Sequence, residues 1–181
     1  MNLTKKSRFL SLILRHDPES VGIVLDKNGW ADVKDILSVS DLSIFQLNEV
    51  VSTNNKKRFE FNENQTKIRA RQGHSVKVDV ELEKKTPPKV LYHGTKSKNF
   101  IAIQKNGLMK MNRLHVHLSK DERTALTVAD RRSGSSVIIQ VDALRMHADG
   151  YDFFLSNNGV WLTECVPPEY LMVFSWPKKG E

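Results

Sequence analysis

Over the first 51 residues, apolar positions recur at helical spacing. Phe9, Leu10, Leu12, Ile13 and Leu14 predict an amphipathic helix, capped by Thr4 or Ser7 and stopped near Asp17-Pro18, with Arg15 and His16 in its last turn. Residues 22–25 form a short apolar run and residues 26–29 have turn chemistry, after which Trp30-Ala31-Asp32 opens a second helix through Ile36 and Leu37. Ser40-Asp41 caps a third, whose Ile44, Leu47, Val50 and Val51 share one face. The period then changes. Residues 58–61 and 67–70 alternate polar and apolar around a turn-like 62–65, which predicts a two-stranded hairpin.

Helices followed by a strand hairpin make the winged-helix pattern, common in nucleic-acid-binding domains, although fold alone establishes no function. A charged stretch, 81–85, ends in Thr86-Pro87-Pro88 and marks a boundary between a domain of residues 1–86 and one of residues 87–181. In the second, Val90-Leu91-Tyr92 is a strand entering His93-Gly94-Thr95, residues 100–104 are helical, and Asn106-Gly107 is a helix C-cap. Val116-His117-Leu118 is a strand, residues 121–128 a helix, and residues 137–141, 160–162 and 171–174 further strands. The expected class is α+β.

Of the 181 residues, 39% are hydrophobic and 27% charged, which excludes collagen-like, low-complexity and wholly disordered chains. The 28 Lys and Arg against 21 Asp and Glu give a net charge of +7, which fits an anionic partner, although charge alone favours simple solubility. Cys165 is the single cysteine, so neither an internal disulfide nor a Cys-based zinc site is available. No apolar run approaches the roughly 18 residues of a membrane span, and the N-terminus lacks a signal-peptide pattern; a cytoplasmic protein is expected.

Several stretches could carry chemistry. Arg15-His16 at a helix end complements the helix dipole, or grips a phosphate through a guanidinium and an imidazole. Between Lys56 and Ser75 stand six Lys and Arg, and strand alternation puts Lys67, Arg69 and Arg71 on one face as an anion surface, beside Gln72-Gly73-His74-Ser75. Tyr92-His93-Gly94-Thr95 and Arg113-Leu114-His115-Val116-His117-Leu118-Ser119 bring three histidines, but no His-x-x-x-His pair or acidic ligand supports zinc. Residues 96–132 add nine Lys and Arg against three acids, so basic charge is present in both halves and favours a cleft with anionic ligands on either side. Neither a P-loop nor a Gly-x-Gly-x-x-Gly fingerprint is present.

In order along the chain, Ser7-Arg8-Phe9-Leu10-Ser11-Leu12-Ile13-Leu14-Arg15-His16, Gly29-Trp30-Ala31, Lys57-Arg58-Phe59, Ile68-Arg69-Ala70-Arg71-Gln72-Gly73-His74-Ser75, Leu91-Tyr92-His93-Gly94-Thr95, His115-Val116-His117-Leu118-Ser119 and Asn158-Gly159-Val160-Trp161-Leu162-Thr163 resemble the RNA 2′-phosphotransferases. Eukaryotic members of that family remove the 2′-phosphate left at a tRNA splice junction. The resemblance covers nearly the whole chain. It implies an N-terminal winged-helix lobe that binds RNA and a C-terminal ADP-ribosyltransferase-like mixed β lobe that binds NAD+. The RNA 2′-phosphate would attack the anomeric carbon of the nicotinamide ribose, giving a 2′-phospho-ADP-ribosylated RNA. The ribose 2″-hydroxyl would then attack phosphorus. Products would be 2′-hydroxyl RNA, ADP-ribose 1″,2″-cyclic phosphate and nicotinamide.

The resemblance places the catalytic set on Arg15, His16, Arg69 and one of Arg131 and Arg132, with Arg131 preferred; this chain has Arg131-Arg132-Ser133-Gly134, one residue longer than the family's usual Arg, His or Arg, then Gly. It implies NAD+ contacts from His93, Gly94, Thr95, His117, Leu118, Ser119 and Val160, with His93 on the adenosine ribose and Thr95 on the nicotinamide side. Val160 stands where protein-modifying transferases carry a glutamate, which suits an acceptor that is already anionic. Lys57, Arg71, Gln72, His74 and Arg132 are the further RNA or phosphate contacts. The expected partners are a tRNA-like RNA bearing a 2′-phosphate and NAD+, with no metal and no membrane, and the protein a monomer. The alternatives are ADP-ribosylation of terminal phosphates on nucleic acid and a non-catalytic RNA-binding protein.

Overall fold

In the computed structural model, which describes residues 2–54 and 57–175, the chain divides into two units. The first is Met1–Glu81 with Asn112–Leu114; the second is Leu82–Met111 with His115–Glu181. The described residues form six α-helices and several small antiparallel sheets, a mixed α+β architecture. None of their helices is long and apolar enough to cross a membrane.

In the first unit, helix α1 (Leu3–Arg15) is capped by Asn2, whose side chain accepts from the Lys5 N–H, and not by Thr4 or Ser7. The apolar period marks a helix without marking its first residue. Trp30–Asp32 is a strand, β1, rather than the opening of the helix α2 (Val33–Ser38). Its pairing explains the difference: Ala31 lies opposite Ile68 of β3 (Lys67–Ala70), a partner that no local pattern reveals. Helix α3 (Ile44–Ser52) starts at a reciprocal cap of Ser43 and Gln46, past the expected Ser40-Asp41. The hairpin forms as predicted, with β2 (Phe59–Phe61) and β1 flanking a central β3. Leu10, Ile13 and Leu14 of α1 bury their side chains with Ile36, Leu47, Phe59 and Ile68.

The second unit is built on a three-stranded sheet in which β8 (Ser136–Asp142) lies between β5 (Val90–Lys96) and β12 (Leu171–Ser175). Strand β5 runs on through His93-Gly94-Thr95, which therefore lie inside a strand and not at its end. Helix α4 (Phe100–Asn106) ends at Gly107 (φ 78°), the predicted C-cap. A second sheet contains β4 (Glu83–Lys84), β7 (Val116–Leu118), β9 (Phe154–Leu155) and β10 (Trp161–Thr163), and a small pair joins β6 (Leu108–Met109) to β11 (Cys165–Val166). Helices α5 (Glu122–Ala129) and α6 (Ala143–Ala148) complete the unit. Tyr92 and Ser119 exchange backbone hydrogen bonds of 2.9 and 2.7 Å, tying β5 to the end of β7. Leu91, Ile139, Val141, Phe153 and Trp161 lie in its core.

Candidate active site

Where α1 ends, its free carbonyls need donors. The Ser75 and Val76 N–H groups donate to the Arg15 carbonyl at 2.8 and 3.2 Å, and His16 Nδ1 lies 3.0 Å from Ser75 Oγ. This clamp sets His74 beside Arg15 and His16, and the Leu114 N–H closes it by donating to the His74 carbonyl at 3.2 Å. His74 is 1% exposed. Its Nε2, and Nε and Nη2 of Arg15, are buried without a hydrogen-bond partner among the described residues. Burial, with Arg58 and Arg113 repelling it, lowers the Arg15 guanidinium to about 10. Burial beside Arg15, His16 and Arg69 lowers His74 to about 3, so its imidazole is neutral. Burial, Arg15 and Arg113 lower His16 as well.

The row of Lys67, Arg69 and Arg71 does not stand clear as an anion surface, because each cation meets a carboxylate. Lys67 Nζ lies 3.2 Å from Asp26, and Arg69 lies 2.7 Å from Glu60 and 3.1 Å from Glu81. Arg71 Nε lies 3.1 Å from the other oxygen of Glu60, off the line of a hydrogen bond. Glu60 thus holds both arginines, while the Trp30 ring lies under the Arg69 guanidinium at 4.3 Å. Asp26 and Glu81 come from outside the hairpin, beyond the reach of alternation within one strand. Lys57 is exposed in the preceding turn, Gln72 is half-buried after β3, and Lys56 lies outside the described residues.

In the second unit, His93 Nδ1 lies 3.0 Å from the His117 carbonyl and must donate, since a carbonyl only accepts. His117 Nδ1 likewise donates to the His115 carbonyl at 3.0 Å, and Asn99 donates to Thr95 Oγ1 at 3.0 Å. Gly94 is demanded by packing, since a Cβ there would stand 1.9 Å from the Ala125 carbonyl oxygen. Leu118 is buried in the core, Ser119 pairs with Tyr92, and Val160 closes a turn with Ser156. Arg131 and Arg132 are exposed just after α5. Their loop is anchored by the buried Lys96, which donates to the Gly134 carbonyl (2.8 Å) and Ser136 Oγ (2.9 Å) and lies 3.7 Å from Asp130. Among the described residues, no group of three or more His, Cys, Asp or Glu is placed to hold a metal ion.

The pattern of the RNA 2′-phosphotransferase, Tpt1 / KptA family, matches residues 2–165. The chain belongs to that family. Relatives named "Probable RNA 2'-phosphotransferase" include one from Fusobacterium nucleatum, 48% identical across 94% of this chain and 98% of its own. One from Flavobacterium johnsoniae is 50% identical across 94% and 96%, and one from Trichormus variabilis is 52% identical across 92% and 94%.

In this RNA 2′-phosphotransferase family member, the first unit brings Arg15, His16 and His74 together and holds Arg69 and Arg71 on one carboxylate. His93, Gly94, Thr95, His117, Leu118, Ser119, Val160, Arg131 and Arg132 belong to the second unit. Sequence reasoning missed Glu60, Trp30, Lys96 and Arg113. Glu60 had a usable signal, because a hairpin sets it opposite Arg69. Arg113 had none, since Asn112–Leu114 joins the first unit from a distant part of the chain.

Proposed function

We propose that the chain removes an internal 2′-phosphate from RNA by transferring it to NAD+, producing 2′-hydroxyl RNA, ADP-ribose 1″,2″-cyclic phosphate and nicotinamide. The observation that carries this reading is the buried edge of Arg15 that makes no hydrogen bond among the described residues, beside His74 Nε2, with the Phe59 ring against the guanidinium. An uncompensated buried cation costs several kcal/mol, and a phosphate offsets that cost with short, charge-assisted hydrogen bonds. Membership of the family supports the same chemistry.

On this reading the first unit is a winged-helix RNA-binding lobe. Arg15 and His16 grip the 2′-phosphate, and Arg69 stabilises charge developing on it while Glu60 and Trp30 fix its guanidinium. Lys57, Arg71, Gln72 and His74 add phosphate contacts. The second unit is an ADP-ribosyltransferase-like lobe that takes NAD+, which supplies an electrophilic ribose carbon and a leaving group that departs neutral. His93, its ring held by the Nδ1 donation to the His117 carbonyl, serves the adenosine ribose. Thr95 serves the nicotinamide side, and Gly94, His117, Ser119 and Val160 line the cleft, with Leu118 supporting it from the core. Arg131, with Arg132 beside it, supplies a further cation from the second unit. The acceptor phosphate is already anionic, so no carboxylate base is needed at Val160.

The test is incubation with NAD+ and an oligonucleotide bearing an internal 2′-phosphate, with products identified by mass. Loss of the phosphate from RNA and release of the cyclic phosphate are expected. An ADP-ribosylated RNA that accumulates without cyclic phosphate, or an unaltered RNA, overturns the proposal. Arg69→Ala should abolish turnover of this substrate while the circular dichroism spectrum stays that of a folded protein.

A further inference from the structure

We infer that a groove between α1 and the residues Thr53, Asn54 and Arg58 seats the RNA strand beside the phosphate being removed, holding it by its sugar–phosphate backbone. This rests on the proposed function for the identity of the strand and goes beyond it in assigning a separate binding surface. Thr4, Arg8, Ser11 and Arg15 follow one another at four, three and four residues, so they share one face of α1. Thr4, Ser7, Arg8 and Ser11 line one side of a groove of about 500 Å³, and Thr53, Asn54 and Arg58 are on the other. None of its lining residues is acidic. The contrast with the hairpin, where Lys67, Arg69 and Arg71 all meet carboxylates, rests on Arg8, which forms no ion pair among the described residues and so offers its charge to an external anion.

Its walls are held in place. Asn54 donates to Ser7 Oγ at 3.0 Å and accepts from Arg58 Nη1 at 3.1 Å, so one amide links α1 to the guanidinium across the groove. The groove is also electrostatically continuous with the candidate active site, because Arg58 is among the charges that lower Arg15. Seven residues separate Arg8 from Arg15, about 10 Å along the helix axis. Cations and hydroxyls in such a row meet phosphate oxygens and ribose hydroxyls without reading bases, so the contact positions the strand and is indifferent to its sequence. A 2′-phosphate inside a chain always has phosphodiesters beside it. A second anion locus two turns away on the same helix face distinguishes such a strand from a free phosphate.

The experiment measures the affinity of the full chain for a 2′-phosphorylated oligonucleotide and a 2′-phosphorylated dinucleotide across a salt series, without NAD+. Arg8→Glu should weaken oligonucleotide binding several-fold, reduce the gain in affinity from dinucleotide to oligonucleotide, and lower the salt slope by about 0.7, the contribution of one single-strand phosphate contact. Lys34→Glu makes the same charge change at an exposed site on α2 and should leave the slope unaltered. Equal effects of the two variants, no effect of Arg8→Glu, or tighter binding of an acidic peptide than of RNA overturns the inference. Arg8 is exposed, and thermal unfolding of the variant separates loss of fold from loss of contact. Binding that behaves as expected without turnover on addition of NAD+ counts against the proposed function alone.

Discussion

At the end of α1, burial, reinforced by neighbouring basic side chains, decides protonation. His74 has an ordinary value of 6.5 and is brought to about 3 by burial and by Arg15, His16 and Arg69. The unfolded chain therefore binds a proton that the native chain refuses over that window. Stability from this residue is complete above about pH 6.5 and is lost as pH falls toward 3, by at most about 1.4 kcal/mol per pH unit. His16 is lowered too and acts with the same sign. The urea midpoint should fall between pH 7 and pH 4, and should fall less in His74→Gln; identical pH profiles would refute the assignment. The residues themselves were legible in the sequence, because Arg15-His16 and Gln72-Gly73-His74-Ser75 are contiguous strings. Their unpaired atoms were not, because burial of Arg15 depends on the return of residues 73–76 to the helix end.

Elements that make their own contacts were the easiest to foresee. The hairpin of β2 and β3 and the Gly107 cap of α4 are written locally, in alternation and in one glycine. Strand β1 is three residues long and exists through β3, so local pattern read it as helix. Helix α6 was missed because its six residues directly follow the apolar strand β8, whose last residue, Asp142, is also the helix cap. Strand β5 shows how packing and site coincide. Gly94 lies where the backbone of α5 approaches the sheet, and Gly94→Ala would set a methyl 1.9 Å from the Ala125 carbonyl. Backbone cannot swing aside as a side-chain end can, so the variant should lose at least about 1–3 kcal/mol. Chemical denaturation measures this, and a wild-type midpoint would show that α5 repacks freely.

At the scale of the whole molecule, the two units do not follow one cut in the sequence. Charged residues and prolines at 81–88 signalled a change of domain, but no composition signal marks Asn112–Leu114 as part of the first unit. That segment supplies the N–H that bonds the His74 carbonyl and the charge of Arg113 that is felt at Arg15 and His16. A fragment of residues 1–81 should therefore exchange the amide hydrogens of residues 75 and 76 faster than the full chain does; equal protection would show that the segment is dispensable. The same excursion imposes an order on biosynthesis. The 33 residues from Glu81 to Leu114 take roughly 2 to 7 s to translate at usual rates, and over that interval the N-terminal unit waits on the ribosome with its arginine cluster unfinished.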